Sequence, residues 1–211
     1  RDQPRSRGLG DVYKRQIQGV LAELRHMPDK VQSVIDEEDQ VANLANSMKD
    51  AESVLFLGRH VGFPVALEGA LKLKEIAYLH AEGFAAGELK HGPIALIEEG
   101  QPVFVIVPSP RGRDSLHSKV VSNIQEIRAR GAITIVIAEE GDTAVEDYAN
   151  HVIRIPKAPT LMQPLLATVP LQIFAAHVAK SKGYDVDPVS YTHLRAHETE
   201  DDLVCRLLLE K

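Results

Sequence analysis

The chain has 211 residues, of which 44% are hydrophobic and 26% charged, which is typical of a globular protein with one sizeable core. Its formal net charge of -6 gives no general attraction to nucleic acid or to anionic membranes. Cys205 is the only cysteine, which excludes an internal disulfide and a cysteine-based metal cluster. We therefore expect the partner to be a small molecule or another protein.

No apolar run approaches the roughly 18 residues of a membrane-spanning helix, and the N-terminus lacks the apolar segment of a secretory signal. These features predict a cytoplasmic protein that does not engage a membrane.

Composition divides the chain into four parts. The arginine-rich residues 1–16 and the tail 188–211 differ from the acidic, aliphatic middle, and both resemble adapter-derived sequence. We predict that these ends are non-native, with native disordered tails as the alternative, and exclude them from the fold. Residues 17–50 are predicted to form connecting helices, and residues 51–187 one folded domain.

The first helical pattern places Val20 and Leu24 on one face and is expected to break at Met27-Pro28, because proline interrupts the helical hydrogen bonds. The pattern then resumes and is followed by a second helix around residues 41–48. Both helices are predicted to connect to the domain rather than to form its centre.

Uniformly apolar strands alternate with helical patterns through the rest of the chain. The predicted strands are 53–57, 102–107, 132–138 and 151–155, and the predicted helices are one that opens the stretch 66–93 and ends near His80, and those at 113–130 and 162–182. This alternation predicts an α/β fold, a three-layer, doubly wound parallel sheet flanked by helices. Ligands of such sheets bind at the carboxyl ends of the strands.

The stretch 66–93 carries the most distinctive chemistry. Glu68, Lys72 and Glu75 fall on one narrow stripe of a mostly apolar helix. A surface helix usually shows the reverse proportions, so we expect this stripe to line a wall or a cleft. Glu75 could then be a tuned base beside Lys72, although this spacing is also typical of a structural ion pair.

His91 follows in a loop, where an imidazole can exchange protons with a ligand or can simply be solvated. No second ligand stands at a metal-binding spacing from it, so we predict no metal. His80 and His177 are predicted to make structural hydrogen bonds. The turn 58–62 and the loop at Arg111 are weak candidates for anion binding.

Four segments together resemble a known family. They are EGALKLKEIAYLHAEGFAAGELKHGPIALI, PVFVIVP, NIQEIRARGA and VPLQIFAAHVAKSKGYDVD. Residues 17–187 resemble the second sugar-isomerase (SIS) half of the glucosamine-6-phosphate synthases, the isomerizing glutamine:fructose-6-phosphate aminotransferases. The resemblance implies a five-stranded parallel sheet of the SIS kind, related to flavodoxin-like and Rossmann-like sheets.

The resemblance also implies site residues and partners. Glu75 matches the family's enolisation base, Lys72 a lysine that orients the sugar and the base, and His91 a ring-opening histidine contributed across a homodimer. The implied ligands are the sugar phosphates fructose 6-phosphate and glucosamine 6-phosphate, with no cofactor.

Parts of the family pattern have no match in this sequence. The glutaminase domain and the phosphate-holding first SIS half are absent, and the sequence diverges after Pro188. The resemblance therefore implies a truncated piece that is weak or inactive alone. The alternatives are a non-catalytic SIS module that binds a sugar phosphate and regulates, and an enzyme like fructosamine deglycase.

Overall fold

The computed structural model describes residues 5–111 and 116–186. Its centre is a sheet of five parallel strands in the order β2-β1-β3-β4-β5. The strands are β1 (Ser53–Gly58), β2 (His80–Ala85), β3 (Pro102–Ile106), β4 (Ile133–Glu139) and β5 (His151–Ile155).

Helices cover both faces of the sheet. They are α1 (Arg5–Ile35), α2 (Glu38–Ser47), α3 (Gly62–Ala77), α4 (Leu116–Ala129) and α5 (Gln163–Ser181). Two short 3₁₀ helices, η1 (Ala86–His91) and η2 (Pro93–Leu96), connect β2 to β3. Helices α1, α2, α3 and α5 pack on one face, and α4 and η1 on the other.

The strands are apolar along their whole length because helices cover both faces of the sheet. Successive side chains of a strand point to opposite faces, so Val54 and Phe56 enter the core beneath α3 and α5, whereas Leu55 and Leu57 enter the core beneath α4. A sheet buried on both faces requires apolar residues at consecutive positions. The three-layer α/β prediction is confirmed, as are the four predicted strands.

The sequence pattern missed β2. This strand reads HAEGFA, begins with an exposed residue and is only partly buried at its other end. It lies at the edge of the sheet and pairs in parallel with β1, from Ser53 opposite His80 to Gly58 opposite Ala85. An edge strand needs less apolar surface than a central one, so its sequence lacks the uniform apolar signal.

The predicted break at Met27-Pro28 is wrong, because α1 continues through Pro28. Met27 and Val34, on either side of the proline, are buried in the core, and this packing holds the helix together across the lost hydrogen bond. The helix also extends back to Arg5, so residues 5–16 are helical despite lacking a clear periodicity. The predicted tail 188–211 lies outside the described residues.

None of the helices in the described ranges is long and apolar enough to cross a membrane.

The turn between β1 and α3 depends on Gly58. A Cβ atom there would lie 2.0 Å from the carbonyl oxygen of Gly62, which is far inside van der Waals contact. We expect Gly58→Ala to open the turn and to lower the free energy of unfolding by about 1–3 kcal/mol, measured by urea denaturation. Gly19→Ala, on an unobstructed part of α1, is the control and should stabilise by up to about 1 kcal/mol. Equal unfolding midpoints for the two variants would contradict this account of the turn.

Candidate active site

Helix α3 places Lys72 and Glu75 near the amino edge of the sheet. The helix starts at Gly62, just beyond the carboxyl end of β1, and runs back antiparallel to the strand. It ends at Ala77 and is followed by the cap residue Tyr78, whose φ of 49° is left-handed and lets the N–H of Leu79 donate to the carbonyl of Leu73. The two polar residues therefore lie opposite to the edge where parallel sheets bind ligands.

In the predicted polar stripe, the ammonium of Lys72 lies between the carboxylates of Glu68 and Glu75 and contacts both. Lys72 Nζ donates to Glu75 Oε2 at 2.8 Å and lies 3.6 Å from Glu68 Oε1. The hydrogen bond that Lys72 donates to Glu75, and then the charge of Glu68, raise the pKa of Lys72 above its usual value despite partial burial. Lys72 is therefore an ammonium ion at neutral pH, which leaves the Glu75 carboxylate as the candidate base of the pair.

The expectation that this stripe lines a cleft is wrong for the chain by itself. The side chains of Lys72 and Glu75 are 30% and 46% exposed. The neighbouring surface of α3 is apolar, since Leu67 and Leu71 are 45% and 41% exposed. The wheel position of Leu71 lies next to that of Glu75. Exposed apolar surface rimmed by polar residues is typical of a face that becomes covered on association.

His91 lies at the other end of β2. It is the last residue of η1, which follows the carboxyl end of that strand, whereas Glu75 precedes the amino end. The six residues of β2 separate the two sites by roughly 20 Å. His91 is exposed and makes no hydrogen bond or ion pair with the described residues. One chain therefore does not bring His91 and Glu75 together.

Other residues singled out in the sequence have structural partners. Arg111 donates from Nε and Nη2 to the buried carboxylate of Glu139 at 2.9 and 2.8 Å, and this contact raises the pKa of Arg111. His80 pairs with Glu82, and His177 Nε2 lies 2.7 Å from Glu38 Oε1, which confirms the prediction of structural hydrogen bonds.

The five-stranded parallel sheet between two helical layers, with a polar stripe on the mostly apolar helix α3, defines a doubly wound α/β domain. The family model described as SIS domain matches residues 47–181. The chain belongs to the SIS domain family.

The more specific resemblance is confirmed by individual relatives. Over 179 residues the chain is 81% identical to glutamine--fructose-6-phosphate aminotransferase [isomerizing] of Corynebacterium diphtheriae, a match that covers 84% of the chain and 29% of the relative. The protein of the same name from Corynebacterium glutamicum is 78% identical over 178 residues, again covering 84% of the chain and 29% of the relative. The chain thus spans about three tenths of the length of these relatives.

A solved structure gives the same result. The C-terminal domain of glucosamine-fructose-6-phosphate aminotransferase from Francisella tularensis superposes with a TM-score of 0.74 at 37% identity. The match covers 82% of this chain and 48% of that one.

Proposed function

We propose that the chain is the C-terminal isomerase part of an enzyme that makes glucosamine 6-phosphate from fructose 6-phosphate and glutamine. The observation that carries this proposal is the 81% identity to an isomerizing aminotransferase, together with the Lys72–Glu75 pair at 2.8 Å. The chain would act within a longer protein, since it matches only 29% of that relative.

In this proposal Glu75 moves a proton between carbons 1 and 2 of the open-chain sugar imine. Such a step needs one carboxylate close to both carbons, because the same group accepts the proton from one and returns it to the other. Lys72 holds the carboxylate by its hydrogen bond and, as an ammonium, can also donate to sugar hydroxyls. His91 would open the sugar ring by proton exchange.

We further propose that the working site is completed by a second copy of the chain. The separation of roughly 20 Å along β2 keeps the two groups of one chain apart. In a two-fold dimer, His91 of one subunit can approach Glu75 of the other, and the reciprocal pair forms by symmetry. The exposed Leu67 and Leu71 beside Glu75 suit a surface that such an interface covers.

The test is a chimaeric enzyme in which this chain replaces the matching 179-residue segment of the Corynebacterium diphtheriae relative. We expect it to form glucosamine 6-phosphate from fructose 6-phosphate and glutamine at a rate close to that of the parent, which serves as the control. A folded chimaera that binds the sugar phosphate without turning it over would contradict the proposal and favour a regulatory SIS module.

A further inference from the structure

A cavity of about 290 Å³ opens between the loops that follow β3 and β5. The first loop contributes Ser109 and Arg111, the second contributes residues 157–160, and Glu23 of α1 completes the lining. None of the described residues around this β3–β5 cavity belongs to α3 or η1, which carry the groups proposed above for sugar isomerisation. Its volume lies just below the range of sites for drug-sized molecules, which favours a smaller ligand.

Arg111 is fixed in the wall of the β3–β5 cavity by a buried carboxylate. Its Nε and Nη2 donate to Glu139, whose side chain is 2% exposed, and its backbone N–H donates to Ser109 Oγ at 3.2 Å. A guanidinium has five N–H donors, so the two that Glu139 accepts leave three without an acceptor among the described residues. The planar fork is already oriented, so little side-chain freedom is lost when a carboxylate binds to it.

Lys157 and Ser109 add further donors to the same wall. Lys157 is exposed, and its ammonium makes no hydrogen bond or ion pair within residues 5–111 and 116–186. Ser109 is 7% exposed, and its hydroxyl accepts from the N–H of Arg111 but donates to no acceptor in the described part of the chain. A buried hydroxyl whose proton has no acceptor favours a ligand that supplies one.

Glu23 brings a negative charge to the cavity from α1. Its Oε2 accepts from Lys30 at 2.9 Å, whereas Oε1 has no partner among the described residues. The hydrogen bond from Lys30, assisted by the charge of Arg111, lowers the pKa of Glu23, so this carboxylate is ionised at neutral pH. Lys30 also donates to the carbonyl of Lys157 at 2.8 Å, which holds α1 against the loop after β5. The unpartnered Oε1 favours a ligand that carries a positive donor.

The charges around the cavity define the net charge of a fitting ligand. Arg111 and Glu139 form one neutral pair, and Glu23 and Lys30 form a second one. Lys157 therefore leaves an excess of one positive charge. A ligand that matches this pattern has a net charge of about −1 and carries groups of both signs.

We propose that the β3–β5 cavity binds a free acidic α-amino acid. Such a molecule has two carboxylates and one ammonium at neutral pH, which gives the required net charge. One carboxylate accepts from Arg111 and Ser109, the other accepts from Lys157, and the ammonium donates to Glu23. Because none of these residues has a role in the isomerisation proposed above, the binding site can exist whether or not that proposal is correct.

The test is isothermal titration of the complete chain with L-glutamate and, separately, with L-glutamine and glutarate. Glutamine lacks the charge of the second carboxylate, and glutarate lacks the ammonium. We expect saturable binding of glutamate and at least about tenfold weaker binding of each analogue, the effect of losing one charged hydrogen bond. Absence of saturable glutamate binding would overturn the proposal, as would equal affinity for glutamate and either analogue.

Lys157→Gln tests the contact with the second carboxylate. The substitution removes an ammonium without a described partner and keeps the backbone carbonyl that accepts from Lys30, so the thermal midpoint should not change. It should weaken glutamate at least about tenfold and remove most of the preference for glutamate over glutamine. The matched control is Lys49→Gln, which removes the same charge from an exposed position outside the cavity. Equal losses in the two variants would overturn the proposal, because the effect would then report net charge alone.

Glu23→Gln tests the contact with the ammonium. It should weaken glutamate without weakening glutarate, which has no ammonium to lose a partner. An equal loss for the two ligands would contradict the proposed orientation of the amino acid and the role of Glu23.

Discussion

Glu75→Gln in the chimaeric enzyme is expected to lower kcat for sugar isomerisation by about 10²–10⁴-fold, the usual contribution of a positioned general acid-base group. The amide keeps the size of the side chain and can still accept from Lys72, but it cannot take up the sugar proton. The measurement is the rate of deuterium incorporation from solvent into the sugar, together with glucosamine 6-phosphate formation.

The matched control for this experiment is Glu68→Gln. Glu68 lies on the same stripe of α3, is similarly exposed and also approaches Lys72, at 3.6 Å. Both substitutions remove one carboxylate near the same ammonium, so a purely electrostatic or structural effect would appear in both. Near-full activity of Glu75→Gln, or equal losses in the two variants, would contradict the assignment of Glu75 as the base.

Mixing two inactive variants is expected to restore activity. In a dimer of one Glu75→Gln subunit and one His91→Ala subunit, one site carries both substitutions and the other carries none. Random reassortment of equal amounts should therefore recover about a quarter of the unmodified activity, because half of the dimers are mixed and each has one intact site. The assay is glucosamine 6-phosphate formation after the two proteins are unfolded and refolded together.

The control for the mixing experiment is each variant refolded alone, which should stay near background. If the mixture gives no more activity than the average of the separate variants, Glu75 and His91 belong to one subunit or do not share a site. Such a result would overturn the proposed assembly but would leave the assignment of the base to be decided by the single substitution.

Most of the sheet could be predicted because burial on both faces leaves a strong sequence signal. The runs at 53–57 and 132–138 are apolar at nearly every position, and both are central strands. The edge strand β2 lacked this signal because one of its sides has no neighbouring strand. The continuity of α1 through Pro28 was likewise hidden, since it depends on the burial of Met27 and Val34 by other segments.

The candidate site was partly predictable for a similar reason. The contact between Lys72 and Glu75 follows from helical geometry alone, because residues three apart share one face. Their exposure could not be derived from the local pattern, since Leu67 and Leu71 look like core residues in sequence and are exposed in this chain. The distance between Glu75 and His91 could not be predicted, because the sequence pattern did not reveal that strand β2 lies between them.

The open position of Glu75 has a consequence for a newly made subunit. In the chain by itself the carboxylate of Glu75 is hydrated beside Lys72, and under the proposed function this water would weaken the electrostatic influence of each group on the sugar. In the proposed dimer, the partner subunit would cover Leu71 and the adjacent polar stripe, remove that water and bring its own His91 to Glu75. Under the proposed assembly, a subunit without its partner would leave hexose phosphates unconverted, and activity would begin only when two subunits join.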